Sequence, residues 1–453
     1  MRELLSRPHL HELAILSGFC QRDSKLRPEV FFDMMFYTVS HTEQGSLSYM
    51  VSLLKSDFGI TIKKQSLDER FNEKCVNFVK SVLEEVLREQ FSNLYSEELL
   101  PDFSRIRIKD STKFIVPSNL EDEYKSCGGD VRVDSRSKAG VSVQYEYDLK
   151  SGEITDLTIT SGDRNDRTDA GETAGNMEKD DLILRDLGYF STPVLKTCME
   201  KEAFFLSRLD CSTHVYDANM KQISFKNIHK SMKKSGVIEK EMLVYVGKKT
   251  LLPVRMILQL VPEEVCKQRI REKTKKSKGQ GRGRLTEETK IRCRFNIFIT
   301  NAEESQLSVE QVFPLYRLRW QIELQFKCWK SIFKIDKLQK MKKHRYFTLL
   351  YIKLLLIIIN LQITHSLQQS IIQNPNIQND PKKIKVLSMN KALKTLKTLF
   401  HEIFGLLRES GRKAKEIAQY IQDRLWKNHW LESKKGKLCF PEILQLMICK
   451  SQK

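Results

Sequence analysis

Between residues 104 and 209 the hydrophobic periodicity switches from helical to alternating and back, and the order of the segments allows few folds. Residues 105–110 (RIRIKD), 141–148 (VSVQYEYD) and 154–160 (ITDLTIT) each alternate apolar with polar. Such alternation suits a strand with one face buried. Lys150, Ser151 and Gly152 supply a tight turn between the second and third runs, so an antiparallel meander is expected. A polar stretch, 161–180, follows, with a helix expected around 169–176. Residues 181–186 (DLILRD) read as a short buried strand ending in an acid. Residues 191–201 suit a helix with Pro193 in its first turn, and 203–209 suit another strand.

The order βββ-α-β-α-β is that of an RNase-H-like core: an α/β (α+β) fold in which a mixed sheet carries helices on its faces. The flanking sequence divides by composition. Residues 1–100 are helical, with apolar residues at helical spacing in 30–37, 47–54 and 76–87. Residues 46–71 read as a helix, a turn at Gly59 and a second helix over about 65–71. That pattern resembles a helix-turn-helix, whose second helix would enter a DNA groove, although any helical domain can hold such a pair.

Residues 211–305 read as a β-rich insertion with strands at 241–246, 253–260 and 292–300. It carries a basic loop, 271–284 (REKTKKSKGQGRGR). Lys275, Lys276, Arg282 and Arg284 in that loop are candidate phosphate contacts; the bland alternative is a solvated loop. Ser308 and Gln311 have the spacing of a capping box, which opens the helical stretch 306–365. Within it, residues 347–363 are strongly apolar. Lys353 and Asn360 interrupt the run, which falls short of the roughly 20 residues a bilayer needs, so a buried helix is expected rather than a membrane anchor. The last region, 366–453, opens with a polar linker at 368–383, after which residues 385–453 are basic and helical by pattern.

Charge points to the partner. The chain has 453 residues, 77 Lys+Arg against 57 Asp+Glu, a net charge of +20. An excess of that size attracts a polyanion over long range, most commonly nucleic acid. An anionic membrane surface is the competitor. The ten cysteines form no C-x-x-C pair and have no histidine at zinc-ligand spacing, so reduced thiols in a cytoplasmic protein are expected. No apolar signal core follows Met1.

The chemistry concentrates on residues 313–333 (FPLYRLRWQIELQFKCWKSIF). At about 100° per residue, Leu315, Leu318, Ile322, Phe326, Trp329 and Phe333 form one apolar face. Tyr316, Arg319, Glu323 and Lys330 lie within about 60° of one another at its border. An ordinary salt-bridged helix face accounts for the Arg319–Glu323 pair equally well.

The spacing Tyr316-x2-Arg319-x3-Glu323-x6-Lys330 resembles the YREK signature of bacterial insertion-sequence DDE transposases, insertion-sequence family four. RIRIKDST around Asp110 and LILRDLGYFS around Asp186 are similar to that family's two aspartate motifs. The resemblance implies a catalytic triad of Asp110, Asp186 and Glu323 that holds divalent metal. It also implies that Tyr316, Arg319 and Lys330 contact phosphates at the element's ends. The implied fold is an RNase-H-like core with a β-rich insertion before the glutamate, and 137 residues separate Asp186 from Glu323. Trp320 and Lys327 on the same helix are further candidate DNA contacts, Trp320 by stacking on a displaced base.

Carboxylates suit this chemistry. Two Mg²⁺ ions, with Mn²⁺ able to substitute, would activate a nucleophile and stabilise a leaving oxygen from sites ~3.5–4 Å apart, and both are hard cations that take oxygen ligands. In that scheme Asp110 bridges both ions, while Asp186 and Glu323 each complete one site. Asp163, Asp166, Asp169, Asp180 and Asp181 read instead as solvated or helix-start acids. The implied route is cut and paste through a hairpin on the transposon end, by a homodimer that holds two ends of double-stranded DNA in the bacterial cytoplasm. The alternatives are an RNase-H-like nuclease without strand transfer and a non-catalytic DNA-binding protein.

Overall fold

The computed structural model describes residues 3–448, except 23, 43–44, 91–98, 127–137, 211, 280–283, 374–384, 409–413, 426–428 and 433–439. Its nine strands are β1 (Arg105–Ile115), β2 (Gly140–Asp148), β3 (Ile154–Ser161), β4 (Asp181–Arg185), β5 (Phe204–Arg208), β6 (Val215–Tyr216), β7 (Glu239–Val246), β8 (Leu252–Leu260) and β9 (Phe295–Thr300). They form one mixed sheet in the order β3-β2-β1-β4-β5-β9-β8-β7-β6. β1, β4 and β5 are parallel, and β2–β3 is an antiparallel hairpin. The first five strands therefore have the arrangement expected of an RNase-H-like core. The strands of the insertion add to the free side of β5, each antiparallel to its neighbour. Gly152, at the β2–β3 turn, has φ 77°, a conformation that glycine adopts without a Cβ penalty.

By contacts the chain forms two compact units. One comprises Glu97–Asp110, Asn165–Trp320 and Leu446–Lys453. Its core places Ile183, Phe205, Met256 and Ile299 of the sheet under the helices Thr192–Glu200 and Phe225–Ser235. Here the first half of β1 is covered on both faces. Ile106 and Ile108 are fully buried, and so are Arg107 and Lys109. Arg105 and Arg107 reach Asp181 at 2.6 and 3.0 Å, and Lys109 reaches Asp169 at 2.7 Å. Asp181 and Asp169 are thus buried partners of β1's cations, not the solvated acids expected from the sequence; Asp169 also sits in the first turn of the helix Asp166–Thr173. A charged strand can lie inside because each cation meets a carboxylate.

The other unit comprises Met1–Ser96, Ser111–Arg164 and Gln321–Gln445. Helices Arg7–Leu16, Pro28–His41, Leu47–Phe58 and Glu73–Arg88 gather with the long helix Lys343–Ile372. That helix is long and apolar enough to cross a membrane, yet 89% of its most apolar stretch is buried inside the protein. Tyr145 of β2 donates to Gln325 Oε1 at 2.9 Å and packs edge-on to Trp329.

Several elements differ from expectation. β1 runs on to Ile115, so Asp110 lies in mid-strand. The second helix of the proposed helix-turn-helix covers only Lys64–Asp68. Asp68 pairs with Arg345 at 2.6 Å and Lys342 at 2.8 Å, which ties that short turn to the long buried helix. The basic run starts inside a helix, Glu263–Gly279, because its lysine-rich first half has good helix formers before the glycines begin. The insertion is accordingly mixed, with helices Phe225–Ser235, Glu263–Gly279 and Glu287–Arg292 between its strands. The long helix expected over 314–333 is two, Val309–Leu318 and Trp320–Ser331, and the break falls on Arg319. The Arg319 N–H donates to Tyr316 O, three residues back, a tightened turn that interrupts the regular ladder. Ser308 and Gln311 form the capping box.

Candidate active site

The register of β1 on β4 pairs Lys109 with Arg185. The next residue along each parallel strand is an aspartate, so Asp110 and Asp186 stand level, one strand spacing of roughly 4.8 Å apart. Asp186 leaves β4 as the N-cap of a short turn, Leu187–Tyr189. Both aspartates are half-buried.

One cation serves both. Arg319 donates to Asp110 Oδ2 at 3.0 Å, and its other terminal nitrogen lies 3.9 Å from Asp186 Oδ1. The guanidinium is almost buried. Tyr316 fixes the helix that delivers it: its hydroxyl donates to the Arg185 carbonyl at 3.2 Å. Its ring centroid is 5.9 and 5.5 Å from the guanidinium carbons of Arg319 and Arg208. Burial, opposed by Arg319 and reinforced by Asp186, pushes the Tyr316 hydroxyl up to about 12. Arg208, on β5, is a cation at this end of the sheet that the sequence does not single out, because one arginine at the end of an apolar strand carries no pattern.

Glu323 follows Arg319 by four residues on the helix Trp320–Ser331 and is half-buried. On the same helix Lys330 donates to the Lys113 carbonyl at 2.9 Å, and burial lowers its pKa. Lys327 is exposed, and Trp320 is 56% exposed. Lys275 and Lys276 are exposed on the helix Glu263–Gly279, and Arg284 is exposed after it. Arg282 lies outside the described residues.

The geometry thus brings Asp110, Asp186, Arg319 and Tyr316 together. Among the described residues no three His, Cys, Asp or Glu side chains stand close enough to hold a metal ion as they are. Asp110 and Asp186 nevertheless fit such an ion chemically: two carboxylates already share one cation, and their oxygens are the hard donors that Mg²⁺ takes.

A sheet of this order, with paired acids level on neighbouring parallel strands, defines an RNase-H-like core. Residues 101–361 match the family model described as Transposase DDE domain. The chain is 30% identical over 440 residues to the transposase for insertion sequence element IS231F of Bacillus thuringiensis subsp. israelensis, with 89% of each protein covered. It is 28% identical to that of IS231E from Bacillus thuringiensis subsp. finitimus, over 94% of this chain and 90% of the relative. It is 29% identical to that of IS1151 from Clostridium perfringens, over 80% and 79%. The chain belongs to the DDE transposase family, whose members are enzymes that act on DNA.

Proposed function

We propose that this chain binds the ends of an insertion sequence and moves it by metal-dependent cut and paste, with Asp110, Asp186 and Glu323 as the catalytic carboxylates. The observation that carries the reading is the pair of aspartates held level about the Arg319 guanidinium. Asp110 and Asp186 would hold the divalent cation, Mg²⁺ or Mn²⁺, and Glu323 would complete its ligands. Bound there, the ion supplies Lewis-acid activation of water or a 3′-hydroxyl and stabilisation of the leaving oxygen.

The remaining roles belong to the chain's own side chains. Tyr316 holds its helix to the end of β4 and so sets where Arg319 points. Arg319 neutralises the aspartates in the free protein and would be free to meet a DNA phosphate if a divalent ion took over that charge. Trp320 offers an exposed ring to an unstacked base. Lys327, Lys275, Lys276 and Arg284 are placed on exposed surface where a duplex can reach them, and Arg282 belongs to the same basic run. Lys330 contacts DNA only if it gives up the Lys113 carbonyl. Two ends must be held together, so a homodimer on DNA in the bacterial cytoplasm is the working state.

A strand-transfer assay tests the reading against a simple nuclease. A pre-cut, labelled duplex of the element's end is incubated with a plasmid target and Mg²⁺. Joined product that is absent with Asp110→Asn supports transposition. Hydrolysis of the end with no joining favours the nuclease.

A further inference from the structure

A second, unassigned basic surface lies on the helix Phe225–Ser235 of the insertion. Its apolar side is set firmly: Phe225, Ile228 and Met232 are buried in the core of the unit that holds Asp110 and Asp186. Ser224 caps its start, and Gly236 closes it in the left-handed conformation. On the opposite side Lys226, Lys230, Lys233 and Lys234 are all exposed. At helical geometry they span about 100° of one face. The helix contains no acid, and none of the four lysines forms a salt bridge within 4 Å among the described residues, although Lys290 and, less strongly, Lys226 lower the pKa of Glu287. His229 beside them has its pKa lowered by burial and then by Arg294 and Lys233, against the opposing effect of Glu263.

The register places this helix relative to the aspartates. Leu184 of β4 pairs with Leu206 of β5, and Arg208 pairs with Phe298 of β9. Asp186, two residues past Leu184, is therefore level with Arg208 and Phe298. β9 is antiparallel, so Phe295 lies three residues further in the direction in which β4 ends. Phe225 and His229 pack on Phe295 with ring centroids 6.3 and 6.0 Å apart. Two strand spacings and three residues put Phe295 on the order of 14 Å from Asp186, at the same end of the sheet.

We propose that the lysine face of Phe225–Ser235 is a docking surface for the phosphate backbone of duplex DNA, gripping the substrate several base pairs from the phosphate that Asp110 and Asp186 address. Lysines on one face of a helix, without a salt bridge to an acid among the described residues and at the aspartates' end of the sheet, suit a sequence-independent grip. This inference rests on the reading of the aspartates as the DNA-cutting site.

The test is equilibrium binding of the full chain, in EDTA so that nothing is cut, to a fluorescent duplex of the element's end at a series of salt concentrations. The variant is Lys226→Ala/Lys230→Ala/Lys233→Ala. A control, Lys179→Ala/Lys196→Ala/Lys201→Ala, removes three charges around the starts of β4 and β5, the other end of the sheet. Each lost phosphate contact lowers the slope of log K against log salt by about 0.9. The first variant should lose up to about 2.7 of slope with an unchanged circular dichroism spectrum, and the control should keep the wild-type slope. Equal slopes for variant and wild type, or equal losses in variant and control, would overturn the proposal. A wild-type chain that binds no duplex would remove both the proposal and the reading beneath it.

Discussion

Arg319 donates to the Asp110 carboxylate at 3.0 Å while lying 3.9 Å from that of Asp186, so a single guanidinium balances two acids on neighbouring strands. A like-charged pair at this spacing needs a cation, and the free protein supplies its own.

Arg319 should therefore compete with divalent metal. Arg319→Ala is expected to tighten Mn²⁺ binding to the DNA-free protein by about tenfold, the equivalent of roughly 1.4 kcal/mol, read by calorimetry. It should also weaken end binding and flatten its salt dependence. Looser metal binding would mean that Arg319 holds the carboxylates in position instead of opposing the ion.

The Lys109–Asp169 pair behind Asp110 is a stability element. Both side chains are buried, 2.7 Å apart. Asp169→Ala strands the ammonium inside and should cost about 3–5 kcal/mol in denaturant unfolding, whereas Lys109→Met/Asp169→Leu should recover most of it. A double variant no better than the single would show that the pair contributes more than mutual neutralisation.

Tyr316→Phe deletes the hydroxyl bond to the Arg185 carbonyl and should cost about 1 kcal/mol of stability. The alkaline limb carries the same signature. The Tyr316 hydroxyl is raised to about 12 in the folded chain, above its ordinary value of 10. Its proton is thus held more tightly when folded, and stability present below pH 10 is lost as pH rises toward 12. Wild type should lose more stability than Tyr316→Phe between pH 10 and 11; parallel curves would place the raised titration elsewhere.

Trp320 is 56% exposed, so Trp320→Ala should change stability by less than about 0.5 kcal/mol. If its ring stacks on a displaced base, binding of a duplex with an unpaired terminal base should weaken by about 1–3 kcal/mol. No change with that probe would leave the ring without a DNA role.

Much of the core was legible from periodicity. Alternation located β2 and β3 to within a residue, and the apolar run before Asp186 located β4. Leu315, Ile322 and Trp329, read as a buried face, are fully buried. Local pattern failed where long-range partners decide. Nothing in RIRIKD says that Arg107 and Lys109 go inside, because Asp181 and Asp169, which admit them, lie sixty or more residues away. The break at Arg319 was equally hidden: helical spacing runs smoothly through it, and the turn is visible only in the backbone. The YREK spacing marked Tyr316 and Arg319 but not their protein partners, Arg185 and Asp110.

The most direct measurement is cleavage of a labelled duplex carrying the element's end by wild type and Glu323→Ala, in Mg²⁺ and in EDTA. The account predicts nicked or hairpin product with wild type in Mg²⁺ alone, and none with Glu323→Ala although that variant still binds the end. Equal cutting by Glu323→Ala, or cutting by wild type in EDTA, would contradict it.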